Sequence, residues 1–289
     1  MQAESTVSAP VRRRSGRGLL LGGAAIVLII ILAIGYLVLS ARYVDAKTAE
    51  AERALKPVLD HQSIVDKAID DFIHVNVPGE PKAMLDLANK DLTQVQQAIK
   101  IVRADQAGLK TAQAGLQSNL LTLTRQDALA KERRRADAAS GALVYANQAL
   151  VDESTQLNAL QPLVDGIIDA NAMLAKVKAN DFAGALSIYS TAQQKLQAAL
   201  SRSQHSEVPA EFGMLAGFLK QTLEALSQAV TAVQTHNIAA LNKANSDLSN
   251  LGQQAGTLKA LFDTVDARNA ALFKPLENGY HNSLQQARG

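Results

Sequence analysis

The sequence contains no cysteine and no tryptophan, and aromatic residues make up only 4% of its 289 residues. The absence of cysteine excludes disulfide bonds, thiol nucleophiles, cysteine-ligated zinc and iron–sulfur clusters. The scarcity of aromatic residues is atypical of a mixed α/β enzyme. Hydrophobic residues make up 47% of the chain and are mainly Ala and Leu, which favour long packed helices. The composition therefore predicts an all-α protein.

The sequence also lacks the common motifs of catalytic and cofactor-binding sites. It has no GxSxG, Walker A, GxGxxG or HExxH pattern, and its five histidines are widely scattered. We therefore predict that the protein is not an enzyme, and we predict no cofactor and no metal site.

A long uncharged run near the N-terminus is the strongest local signal. It extends from Leu19 to Leu39, and as a helix it would match the ~30 Å hydrocarbon core of a bilayer. Four arginines precede it, and they are Arg12, Arg13, Arg14 and Arg17. By the positive-inside rule the sequence predicts a cytoplasmic tail at 1–18, a single transmembrane helix at 19–40 and an extracytoplasmic domain at 41–289. The predicted location is the cytoplasmic membrane, with the lipid bilayer as one partner.

Two further interpretations concern the same apolar segment. A cleaved secretory signal peptide is the alternative to a retained anchor, although its apolar region is usually about 7–15 residues long. Gly18 and Gly22 form a GxxxG pattern, for which a helix–helix contact inside the membrane is one explanation and the general frequency of glycine in membrane helices is the alternative.

Heptad spacing dominates the remainder of the chain and predicts an elongated bundle of long helices. The first seam combines two lines of residues: Leu85, Leu92, Ile99, Gln106, Gln113, Leu120 and Ala88, Val95, Val102, Leu109, Leu116, Leu123. A second seam runs from Leu241 to Leu276. With Pro, Gly and capping residues as boundaries, the predicted helices are 42–76, 81–139, 142–178, 181–203, 209–235 and 237–286. Proline also predicts a kink at Pro275 and an interruption at Pro162.

Charge indicates which partners to expect. Without the four arginines and Glu4 of the first 40 residues, 25 basic and 26 acidic side chains remain. A nearly neutral domain offers little attraction for phosphates, so we predict no nucleic-acid partner. One basic run, which comprises Lys131, Arg133, Arg134 and Arg135, is a candidate patch for an anionic partner, and a solvated helix end is the alternative explanation.

These features together favour a non-catalytic role. We expect a membrane-anchored helical scaffold that binds a protein partner, or a further copy of itself, through its helical seams. The alternative is a ligand-sensing helical domain that signals through a separate subunit. Buried unpaired polar groups in a pocket between helices would favour the sensor, whereas a continuous dry core would favour the scaffold.

Overall fold

The computed structural model describes residues 17–73, 79–262 and 265–289, and these residues contain α-helices and no β-strand. The α-helices are α1 (Arg17–Asp60), α2 (Gln62–Ile73), α3 (Pro81–Gly115), α4 (Gln126–Lys178), α5 (Phe182–Arg202), α6 (Ala210–Gln234), α7 (Ile238–Phe262) and α8 (Val265–Arg288). A short 3-10 helix, Leu120–Arg125, connects α3 to α4. The predicted all-α class and helical bundle are confirmed.

Helix α4 is the central element of the fold. It contains 53 residues, and at 1.5 Å per residue it is about 80 Å long. It packs along its length against α3, α5 and α8. Alanines lie at many of its buried positions, including Ala139, Ala142, Ala146 and Ala149, each fully buried. Because an alanine side chain is short, neighbouring helices can approach α4 closely.

The buried apolar residues form two clusters that share α4. The first joins α1, α2, α3 and α8 to the N-terminal half of α4 and includes Phe273 and Tyr280. The second joins α5 and α6 to the C-terminal half of α4 and includes Met173 and Leu196. Leu160 packs against both clusters, so the two cores meet on the same helix.

Helices α3 and α8 both run antiparallel to α4. Gln161 near the middle of α4 donates to Asn89 near the start of α3 over 2.5 Å, whereas Arg133 near the start of α4 reaches the end of α3. Arg135 reaches the end of α8 in the same way. At Gly279 of α8 the ring of Tyr145 lies 2.8 Å from the place where a Cβ atom would stand, which is too close for a side chain. Glycine at this position lets α8 lie close to α4.

The predicted helix 81–139 is wrong. Helix α3 ends at Gly115 and α4 begins at Gln126, with the 3-10 helix between them. The backbone N–H of Leu121 donates to the Asn119 side chain, and the Asn119 N–H donates to the Thr122 hydroxyl. These local bonds satisfy the backbone at the start of a new helix and so end the first one. The heptad spacing continues through the break although the helix does not.

Other boundaries also differ from the predicted ones. Helix α4 passes through residues 140–141, which separate the predicted helices 81–139 and 142–178, because its buried stripe continues across them. The predicted helix 237–286 is divided into α7 and α8. The predicted helix 42–76 is the later part of α1 followed by α2, with a break at His61, and residues 74–76 lie outside the described part of the chain. Helices α5 and α6 lie close to the predicted bounds.

The predicted membrane span is contradicted. Among the residues that the structure describes, no helix is long and apolar enough to cross a bilayer, so the predicted single-pass location in the cytoplasmic membrane is wrong. A span needs about 20 apolar residues, and the described side chains of the apolar run begin at Ile30. At its other end Ser40 is fully buried against the bundle. Residues 19–29 of the run lie outside the described side chains.

Pro162 lies inside α4 without ending it. Proline has no N–H, so the carbonyl of Asn158, four residues earlier, loses its intrahelical donor. The guanidinium Nη1 of Arg202 on α5 donates to that carbonyl over 2.6 Å. A neighbouring helix thus replaces the missing bond, and α4 continues into the second core.

We expect Arg202→Met to lower the free energy of unfolding by about 1 kcal/mol, because the Asn158 carbonyl loses its replacement donor. In a Pro162→Ala background the alanine N–H can bond to that carbonyl, so the cost of Arg202→Met should shrink markedly. Urea denaturation of the four proteins of this cycle measures the coupling. Equal costs in both backgrounds would contradict the assignment.

Candidate interaction surfaces

The first described turns of α1 expose an apolar surface. We call residues 30–39 of α1 the arm. Its large apolar side chains are between 48% and 64% exposed, and they are Ile30, Ile31, Leu32, Ile34, Leu37, Val38 and Leu39. Scattered exposed apolar residues are common on proteins, but a contiguous group of this size is a candidate interaction surface.

Hydrogen bonds hold the arm to the 3-10 helix at its C-terminal end. The Tyr36 hydroxyl donates to the Leu120 carbonyl. The Ser40 hydroxyl donates to the Leu121 carbonyl over 2.5 Å and also bonds to the Thr124 hydroxyl. The polar atoms at this end of the arm are therefore satisfied within the chain, and its orientation relative to the bundle is set.

Two contacts just beyond the arm strengthen this attachment. The Asn119 side-chain amide donates to the Tyr43 hydroxyl over 3.0 Å. Arg125 Nη1 lies 2.7 Å from Asp45 Oδ1, although both side chains are largely exposed, so this ion pair contributes little stability alone. The 3-10 helix also exposes Leu120 and Leu123, which adds apolar surface beside the arm.

Two arginines of the basic run at the start of α4 bond to the ends of neighbouring helices. Arg133 Nη2 donates to the carbonyl of Leu116 at the end of α3 over 2.5 Å. Arg135 Nε donates to the carbonyl of Ala287 at the end of α8 over 3.0 Å, and its Nη1 pairs with Glu132. The last carbonyls of a helix lack intrahelical donors and carry partial negative charge, so cations stabilise them. Lys131 and Arg134 point outward and are exposed.

The structure thus divides the predicted anionic-partner patch. Arg133 and Arg135 are half-buried against helix ends, and of the four residues only Lys131 and Arg134 are exposed. Binding of an anionic partner by this run stays a prediction. Of the other residues singled out from the sequence, Arg12, Arg13 and Arg14 lie outside the described residues, and the surroundings of Arg17, Gly18 and Gly22 lie outside the described side chains.

Two buried carboxylates tie distant elements of the bundle together. Glu211 of α6 is 3% exposed, and its Oε2 lies 3.0 Å from Nη1 of Arg268 on α8. Asp105 of α3 lies 2.9 Å from Nδ1 of His61, at the break between α1 and α2. Each carboxylate has its partner on a different element of the bundle, an arrangement that fixes how the two elements pack. Sequence reasoning did not identify these pairs, because the partners are far apart in the chain.

A titratable cluster lies between α2 and α8. Burial raises the pKa of Asp66, and a hydrogen bond from Gln62 partly offsets this effect. His281 Nε2 is 3.9 Å from Asp66 Oδ1 and 4.0 Å from Glu277 Oε1, distances beyond hydrogen bonding. Burial also raises the pKa of the Tyr280 hydroxyl above its ordinary value. Within the described part of the chain no group of His, Asp and Glu side chains could hold a metal ion.

A cleft of about 330 Å³ separates α6 from α7. Its lining is mostly polar and comprises Gln221, Glu224, Ala225, Gln228, Lys243, Asp247, Asn250 and Leu251. Lys243 and Asp247 form a long ion pair of 3.5 Å across one turn of α7. Most of these side chains are exposed, so the cleft is open to solvent and differs from the enclosed apolar pockets that bind most small ligands.

The basic run provides a test of its structural role. We expect Arg133→Met combined with Arg135→Met to lower the free energy of unfolding by about 1–3 kcal/mol, because two helix ends lose charged donors and the buried Glu132 loses the partner on its own helix. The matched pair Lys131→Met and Arg134→Met removes the same charge from exposed positions and should change it by less than about 0.5 kcal/mol. Urea denaturation measures both, and equal effects of the two pairs would contradict the capping role.

Two aspartates give opposite pH effects. Burial raises the pKa of Asp152 above its ordinary value of 3.8, so its contribution to stability is complete below pH 3.8 and is lost as the pH rises through the folded-state pKa. The ammonium group of Lys176 and the Gly184 N–H lower the pKa of Asp181 from the same ordinary value. The contribution of Asp181 is therefore present above pH 3.8 and is lost as the pH falls through its lower folded-state pKa.

We therefore expect Asp152→Asn to raise the melting temperature at pH 7 and to lose this advantage below pH 3.8, since Asn keeps the acceptor for Gln148 without the buried charge. Asp181→Asn should lower the melting temperature at pH 7 and converge on the wild type in acid. Thermal melts of the three proteins from pH 3 to pH 7 give the comparison. The same sign of effect for both variants at pH 7 would rule out this account.

Comparison with known proteins identifies no relative. No protein-family model, no curated protein and no solved structure matches this chain.

Proposed function

We propose that this protein is a non-catalytic scaffold that binds another protein chain through the arm of α1. The observation that carries the proposal is the exposed apolar surface of residues 30–39, which is held at one end by the 3-10 helix. Removing an apolar surface from water lowers the free energy by roughly 25 cal/mol per Å².

The attachment of the arm favours binding over simple exposure. A loosely held helix would lose conformational freedom when it met a partner, and that loss would weaken the complex. The bonds of Tyr36 and Ser40 to the 3-10 helix already restrict the arm. Binding of a partner to the arm therefore requires less ordering of the chain than binding to a loosely held helix would.

The helical bundle can hold the arm at a fixed position. Helix α4 passes through both apolar clusters, and the contacts of Glu211 with Arg268 and of Asp105 with His61 join separate elements of the bundle. A body of this kind holds a binding surface at a fixed position, which is what a scaffold requires.

A ligand-sensing role is the second proposal, and the cleft between α6 and α7 is the observation that favours it. Its volume of about 330 Å³ is at the lower end of the ~300–1,000 Å³ that small-molecule sites occupy. Its lining is polar, so the ligand would be a small polar molecule. The arm supports the scaffold role more strongly, because polar groups that are open to solvent exchange one hydrogen bond for another when a ligand binds and gain little.

Photocrosslinking in cells tests the scaffold proposal. We expect benzoylphenylalanine at Leu37, on the arm, to give discrete protein adducts when the full chain is expressed and irradiated. The same group at Ile238, which is 73% exposed at the start of α7, is the control and should give none. The absence of any protein adduct at Leu37, or equal adducts at both positions, would overturn the proposal.

A further inference from the structure

Helix α7 lies outside both apolar cores of the bundle. Among its described side chains, Ala244 and Leu251 are the buried ones, and neither belongs to the first or the second apolar cluster. The helix packs mainly against α6 and touches α8 only slightly. Its ion pair, Lys243 with Asp247, joins two residues of α7 itself. Helix α7 is therefore attached to the bundle over a small buried surface.

The surface of α6 that faces α7 contains few apolar atoms. Residues three or four positions apart share one face of a helix. Three of the side chains on this face line the cleft, and the full line is Gln221, Ala225, Gln228 and Ala232. In contrast, Leu219, Leu223 and Leu226 of α6 pack in the second core. Separation of α7 from α6 would therefore expose little apolar surface, and the free-energy cost of separation depends on that area.

One stretch of α7 is exposed on every side. Residues 252–257 are all exposed, and they make more than one and a half helical turns. Their sequence, GQQAGT, includes two glycines and a threonine, which are poor helix formers. At Gly252 and Gly256 no atom of another helix lies within 4 Å of the place where a Cβ atom would stand, so packing does not require glycine there. Neither packing nor intrinsic propensity stabilises this stretch of helix.

The joint between α6 and α7 is held by hydrogen bonds. The N–H of Asn237 donates to the Ala232 carbonyl over 2.9 Å, and the N–H of His236 donates to the Val233 carbonyl over 3.2 Å. The Asn237 side chain accepts a hydrogen bond from the Ala240 N–H over 3.1 Å. These bonds end α6 and cap the start of α7. The stretch 252–257, and not this joint, is therefore where α7 is weakest.

We infer that α7 is a separately opening element of the fold: it unfolds locally, starting at residues 252–257, while both apolar cores stay folded. Segments with few buried contacts open at a lower free energy than the core of a protein does. The opening removes the α7 wall of the cleft, which carries Lys243, Asp247 and Asn250, and it uncovers the facing line of α6. This inference concerns a different part of the chain from the arm and does not depend on the proposed scaffold function.

Hydrogen–deuterium exchange of the purified full chain, followed by mass spectrometry, tests the inference. We expect the amides of residues 245–257 in α7 to have protection factors about a hundredfold lower than those of residues 143–157 in α4. The α4 stretch contributes several buried side chains to the first core, so its amides exchange only when that core opens. Equal protection of the two stretches would overturn the inference.

Glycine-to-alanine variants separate local from global opening. Gly252→Ala combined with Gly256→Ala should raise the protection factors of α7 about tenfold or more, because alanine is the better helix former at both positions. Gly108→Ala is the matched control on α3, where the glycine is also exposed and the Cβ position is open. Because α3 stays folded when α7 opens locally, this variant should leave the exchange of α7 unchanged. No change of α7 in the double variant, or an equal rise of α7 in Gly108→Ala, would contradict the inference.

The urea dependence of exchange is the second measurement. The slope of an opening free energy against urea concentration increases with the surface that the opening exposes. Local opening of α7 exposes little surface, so the slope for residues 245–257 should be well below the slope for residues 143–157. Equal slopes would mean that α7 opens only together with the whole bundle, and they would refute a separate opening.

Discussion

The close approach of neighbouring helices to α4 is the constraint on which the rest of the structure depends. Ala139, Ala142, Ala146 and Ala149 are fully buried along the first core, and a larger side chain at these positions would separate the helices or force strained rotamers. Packing at this distance gives many weak contacts that together are large. Because the same helix then enters the second core, the position of α5 and α6 is determined by the packing of α1, α3 and α8.

Polar groups act mainly where this packing leaves backbone atoms without partners. Arg133 and Arg135 cover the ends of α3 and α8, and Arg202 replaces the bond that Pro162 removes. A long guanidinium side chain suits this task, since it can span the gap between two helices and direct several donors. Three arginines that a charge pattern alone would assign to a surface thus serve the interior organisation of the bundle.

The sequence was sufficient to predict the helical class and one buried line of α3. Val95, Val102 and Leu109 are fully buried at the predicted heptad positions. The companion line that begins at Leu85 is only half-buried, and the line one residue earlier, which contains Asp91 and Asp105, is buried instead. Heptad spacing cannot distinguish these lines, because α3 contacts helices on two sides. The burial of Asp105 could not be predicted either, because its partner His61 comes from a distant part of the chain. The apolar character of the arm was likewise evident, but its bonds to the 3-10 helix join residues more than 80 positions apart.

The length of α4 has a mechanical consequence. A continuous helix of 53 residues that is clamped in two separate cores behaves as a lever. A tilt of about 5° at its first turn displaces the last by about 7 Å, given a length of about 80 Å. Any event that repacks the helices beside the arm and tilts α4 would therefore also displace the far end of α4, near α5 and α6.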